Sequence, residues 1–111
     1  MTNALLALLL ALGIISTPDM VREMSIREGV NPRLSACIVT NESNWDTNLI
    51  GAAGEIGLMQ IMPDTGKWAA TKVGLESYDL HDPVHNLTIG MWILREYPEF
   101  YHTMYLCEGV R

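Results

Sequence analysis

The chain has 111 residues, 49% of them hydrophobic, and a formal net charge of −6. That length supports one domain with a single core, near the lower end of self-sufficient size. Lys and Arg total 7 against 13 Asp and Glu. No basic cluster exists to neutralise phosphates, which sets aside nucleic acid as a partner.

Met1-Thr2-Asn3 precedes Ala4 to Ile15, a run without a charge. A bilayer span takes about twenty residues, so this run is too short to cross a membrane. It fits the apolar core of a signal peptide, or else a buried helix at the start of the domain. No Lys or Arg precedes the run and no Ala-x-Ala site follows it. The division expected is therefore a leader or N-terminal apolar helix over residues 1–16 and a domain over 17–111.

Thr17-Pro18-Asp19 predicts the cap and first turn of a helix through Val21, Met24 and Ile26, with Gly29 as its stop. Asn31 caps and Pro32 opens a second helix that runs to about Ser43, since proline's missing N–H costs nothing in a first turn. Leu34, Ile38 and Glu42 recur every four residues and share one face. Glu42 thus extends an apolar stripe. Such a place suits a carboxylic acid that must donate a proton at neutral pH, because burial disfavours the charged form. For a lone glutamate, an ordinary surface pair is the competing reading.

Gly51-Ala52-Ala53-Gly54-Glu55-Ile56-Gly57 cannot hold a stable helix and lets the backbone turn sharply or approach a ligand. It leads into Leu58 to Met62, apolar except for Gln60. An amide among hydrophobes beside a glycine turn suits an oligosaccharide cleft, where an apolar wall meets a sugar face and the amide fixes its hydrogen bonds. Pro63 or Asp64 begins a third helix through Trp68 that ends before Gly74. After a loop from Leu75 to His81, Asp82-Pro83 opens a helix that Pro98 closes, and a final short helix is expected over Glu99 to Leu106. No alternation suggests a sheet, so the fold class is mainly α.

Glu42-Ser43, followed by the stretch from Gly51 through Gly57-Leu58-Met59-Gln60-Ile61-Met62-Pro63-Asp64-Thr65, resembles the signature of soluble lytic transglycosylase (SLT) domains. Gly29 to Leu34 resembles the lead-in to their catalytic helix, Asp82-Pro83-Val84-His85-Asn86 their Asp-Pro…Asn turn, and Leu87 to Leu94 the helix that follows. The likeness runs from about Asp19 to Leu94. It implies a small lysozyme-like helical domain that cuts peptidoglycan, with Glu42 as the catalytic acid. Ser43, Met59, Gln60 and Asn86 would lie at the substrate, and Trp45, just past the acid, is the candidate for sugar stacking. In the family a late Tyr-Asn-x-Gly segment brings an aromatic to the acid. Here Tyr101 to Gly109 contains no Tyr-Asn, which leaves a drifted motif or a domain shortened at its C-terminus. Tyr105 is the first candidate for that aromatic, with Tyr101 second.

Glycosidases commonly use two carboxylates. Asp46 and Glu55 are the candidates near Glu42, and neither shares its helix face. A one-acid mechanism follows better, as the resemblance implies. Glu42 protonates the oxygen between N-acetylmuramic acid and N-acetylglucosamine, then accepts the muramyl 6-hydroxyl proton to leave a 1,6-anhydromuramyl end. The alternatives are a hydrolytic lysozyme of the same fold, with Asp46 or Glu55 positioning water, and a non-catalytic peptidoglycan-binding or assembly module. The expected partner is the peptidoglycan glycan strand, met by an exported monomer in the periplasm, cell envelope, extracellular space or virion.

No cofactor is called for. His81 and His85 mimic a metal spacing, but two ligands interrupted by a proline read as a polar turn. Cys37 and Cys107 can pair if the last helix packs on the catalytic one, and Cys37 equally reads as a small core residue.

Overall fold

A computed structural model describes residues 2–110. Five α-helices carry the fold, and a proline in the first turn marks the start of four of them. Helix α1 (Asn3–Ala11) is capped by the Thr2 hydroxyl, which accepts from Leu5 N. Helix α2 (Thr17–Glu28) is capped by Ser16 rather than by Thr17. Ser16 Oγ accepts from Asp19 N while the Asp19 carboxylate accepts from Ser16 N, so two orphan donors are satisfied reciprocally. Helix α3 (Pro32–Ser43) has Asn31 as its cap, as expected, and ends in left-handed Asn44. Helix α4 (Pro63–Val73) stops at Gly74, and α5 (Pro83–Glu96) starts where Asp82 Oδ1 accepts from Val84 N and His85 N.

Helix α5 is the centre of the core. Val84, Leu87, Ile89, Met91, Ile93 and Leu94 are buried on successive faces, and α1, α2 and α4 all pack against it. A helix that is apolar all round belongs inside. The glycine-rich stretch crosses α5 closely, because a Cβ on Gly90 would collide with Met59 Sδ. No strand occurs among the described residues. Isolated antiparallel bridges, Ile50 with Ile56 and Ile56 with Ile61, fold the glycine stretch on itself.

Helix α1 buries Leu6 but leaves Leu5 and Leu8 exposed, as are Leu12 and Ile14 just beyond its end, all between 43% and 64%. Among the described residues no helix is long and apolar enough to cross a membrane.

The departure from sequence expectation lies after α5. In place of an α-helix over Glu99 to Leu106 there are two 3-10 segments, Pro98–Phe100 and His102–Val110, with Tyr101 extended between them. Burial shows why. Tyr101 and Cys107 belong to the core and Met104 and Val110 pack against it, whereas His102, Tyr105 and Glu108 are exposed. A spacing of three is the period of a 3-10 helix, not of an α-helix.

This C-terminal segment runs antiparallel to α3 and is tied to it at three places. Thr103 Oγ1 donates to Glu42 Oε1, Cys107 forms a disulfide with Cys37, and Asn31 Nδ2 donates to the Val110 carbonyl. From residue 31 to 42 an α-helix rises about 16 Å. Residues 103 to 110 cover about 14 Å as 3-10 helix, but only about 10 Å as α-helix. The wound-out form is the one that reaches all three ties.

The disulfide joins positions separated by 70 residues. In the chain-entropy view, closing a loop of that size stabilises by up to about 4 kcal/mol. Replacing both cysteines, Cys37→Ala with Cys107→Ala, is expected to lower the melting temperature by about 10 °C or more. Thermal unfolding followed by circular dichroism checks this, and an unchanged midpoint would mean that the bond contributes nothing.

Candidate active site

Glu42 opens into a groove of about 530 Å³ assembled from five parts of the chain. The end of α3 gives Glu42 and the glycine stretch gives Ala53, Glu55, Gln60, Ile61 and Met62. Thr65 of α4, Ile93 of α5 and Glu99 to Thr103 complete its lining. The volume lies in the range of small-ligand sites. Its charged walls are acidic: Glu42, Glu55 and Glu99 line it, with His102 beside them, and no Lys or Arg among the described residues does.

Glu42 is half-buried, and its proton is held above the usual carboxylate range chiefly because burial penalises the charge. The Thr103 hydroxyl, 2.8 Å from Oε1, opposes that shift. The Glu55 charge adds to it and His102 opposes it. Tyr101 is 6% exposed, and burial, then the Glu42 charge, push its phenol upward, so it stays neutral beside the acid.

The wall opposite is a loop pinned from behind. Gly57 N donates to Leu49 O, Gln60 N to Gly57 O, and Ile56 and Ile61 exchange both backbone bonds. Asn86, fully buried on α5, accepts from Met59 N and donates to the carbonyls of Ile56 and Leu80. Gly57 has a φ of 78°, and a Cβ there would collide with the Asn86 amide and the Leu80 carbonyl. This residue has to be glycine for the loop to sit on Asn86.

Of the residues expected at the site, Glu42 and Gln60 line the groove. Gln60 is more structural than expected: its Nε2 donates to Leu49 O and Gly57 O, which leaves the amide oxygen as its remaining acceptor. Ser43, Met59 and Asn86 are 3%, 0% and 0% exposed and support the groove from behind rather than line it. Trp45 does not line it either. It follows Asn44 through a second left-handed residue, with a φ of 67°, and its indole donates to Thr40 Oγ1. Tyr105 is a correction. It is 68% exposed and outside the groove, while Tyr101 lies where an aromatic was sought. In an α-helix the two would share a face, but in a segment of period three Tyr105 falls off the buried stripe. Asp46 also stands apart, its carboxylate accepting from Asn48 N, whereas Glu55 lies in the groove with Oε1 on Ala53 N. His85 Nδ1 accepts from Asp79 N within the turn. The residues that sequence reasoning missed, Thr103 and His102 above all, lay in plain view beside Tyr101. Their signal was the three-residue spacing of Tyr101, Met104, Cys107 and Val110.

The transglycosylase SLT domain family matches residues 19–107, a span that contains every residue of the groove. The chain belongs to that family. A relative from Enterobacteria phage PRD1, named Transglycosylase, is 35% identical over 72 residues, covering 65% of this chain and 25% of that protein. The chain therefore corresponds to about a quarter of that relative's length. No solved structure matches. The helical architecture is the lysozyme-like one expected of an SLT domain.

Two outcomes follow for stability. Asn86→Ala leaves Met59 N and the Leu80 carbonyl without partners, each worth about 1–3 kcal/mol when buried, while the Ile56 carbonyl keeps its bond from Ile61 N. A loss of at least about 2 kcal/mol is expected in urea unfolding. Glu42 behaves oppositely. A carboxyl whose folded pKa is raised contributes stability that is present at low pH and is lost as pH rises through the folded value. Glu42→Gln is therefore expected to melt above the wild type at about pH 7.5, with the gap closing at about pH 4. Equal gaps at both pH values would contradict the desolvated acid.

Proposed function

We propose that the chain is a lytic transglycosylase of peptidoglycan, acting as an exported monomer on glycan strands and needing no cofactor. The observation that carries this reading is a half-buried Glu42 that lines an open groove and whose pKa is raised by desolvation. Glu42 gives its proton to the glycosidic oxygen between N-acetylmuramic acid and N-acetylglucosamine as that bond breaks. The substrate's own N-acetyl oxygen supports the charge at the anomeric carbon. The Glu42 carboxylate then takes the proton of the muramyl 6-hydroxyl while that oxygen closes on the anomeric carbon. A 1,6-anhydromuramyl end results, Glu42 regains its proton, and no water is consumed.

Hydrolysis is the second reading, and the observation that favours it is Glu55 in the same groove. A second carboxylate so placed can orient water toward the anomeric carbon. Asp46, the other candidate, lies outside the groove and drops out of this role. For residues 1–16 we propose a leader that precedes a domain over 17–111. The exposed leucines of α1 and a family match that starts at residue 19 support this division.

The test is the mass of muropeptides released from purified sacculi. Anhydro ends lighter than the hydrolytic product by one water support transglycosylation, and reducing ends support hydrolysis. Glu42→Gln should lower release by at least about a hundredfold, the scale of lost general acid–base catalysis. Release within tenfold of the wild type would remove Glu42 from the role.

A further inference from the structure

Among the described residues, one groove side chain is hydrogen-bonded to Glu42. Thr103 Oγ1 lies 2.8 Å from Glu42 Oε1 and is the donor in that bond. The segment that presents it is fixed on α3 beyond the contact, by the Cys37–Cys107 bond and by the Asn31 to Val110 hydrogen bond. Thr103 is itself half-buried, off the stripe that faces the core, so packing does not account for its direction. A donor on Oε1 leaves Oε2 as the oxygen for an exchangeable proton. The same bond persists when the carboxyl is ionised and is then stronger, because a charged oxygen is the better acceptor.

We propose that Thr103 is a positioning residue of this site, whose hydroxyl fixes the Glu42 carboxyl in one orientation with the transferable proton on Oε2. This rests on the reading of Glu42 as acid and base. The other groups that face Glu42 are Glu55 from the glycine loop, and Tyr101 and His102 from the C-terminal segment, with Glu99 on the groove wall. Among these described residues, none is hydrogen-bonded to Glu42 as Thr103 is. Glu55 and His102 act on it through charge, and their effects oppose each other.

Thr103→Val removes the hydroxyl and keeps the shape, while Thr103→Ser keeps the hydroxyl. The Glu42 carboxyl is titrated by carbon NMR in each full-length protein, and wall lysis is measured across pH. The Val variant should titrate at higher pH than the wild type, since a bond that favours the carboxylate is gone. Its lysis should fall about tenfold at the optimum, the effect of one ordinary interaction lost in the transition state. The alkaline limb of its pH profile should move upward with the titration. The Ser variant should restore both. A Val variant that titrates as the wild type does, or a Ser variant that restores neither property, overturns the proposal. So does lost lysis with an unmoved alkaline limb, which is what a merely structural role would give. If the Val variant fails to fold, Thr103→Ala takes its place in the same measurements. Wild-type protein that releases no muropeptides at all would refute the enzymatic reading separately, while the titration still judges the contact.

Discussion

The site depends on the pairing of the C-terminal segment with α3. Glu42 sits on the last turn of that helix, where a carboxylate would ordinarily be free in water. Here a segment is laid against it, which half-buries the carboxyl and brings buried Tyr101 and the Thr103 hydroxyl to one side of the groove. Antiparallel ties at both ends and at a disulfide between them fix the register. Because the ties are spaced for a rise of about 2 Å per residue, the segment is 3-10 rather than α. Its conformation follows from what it has to reach.

The other wall is held by a different device. A loop with three glycines has little rigidity of its own, since glycine loses the most freedom on folding. Asn86 supplies that rigidity from the centre of the core, satisfying one N–H and two carbonyls of the loop and its neighbour. Gly57 and Gly90 are the places where a side chain would keep the loop from docking, against Asn86 and Met59 respectively. Thus the residues with the least contact with the groove decide its shape.

Electrostatically the groove works against its own stability. Glu42, Glu55 and Glu99 share it without a lining cation among the described residues. Desolvation and the Glu55 charge both oppose ionisation of Glu42, and the Thr103 bond and His102 temper that opposition. For the role proposed for Glu42 as acid and base such a balance matters, since general acid–base catalysis is best when the pKa lies near the working pH. For the glycan proposed as its ligand, the groove offers polar side chains beside apolar Met62 and Phe100.

Much of this was written in the sequence. Prolines and caps set the helix starts at Pro32, Pro63 and Pro83, and the four-residue recurrence of Leu34, Ile38 and Glu42 put the acid on a half-buried face. The glycine run and its Gln60 were legible because glycine and helix-breaking patterns act locally. Roles that depend on long-range contact were not. Ser43, Met59 and Asn86 carry polar or soft groups that look fit for a ligand, and only packing turned them inward. Nor could residue type choose between Tyr101 and Tyr105, because that choice depends on whether the segment winds with a period of 3.6 or 3.0. The period was decided by Asn31, Cys37 and Glu42, some 60 to 80 residues earlier in the chain. Local propensity determined the helices and the turn, and the distance between ties on α3 decided which side chains meet the acid.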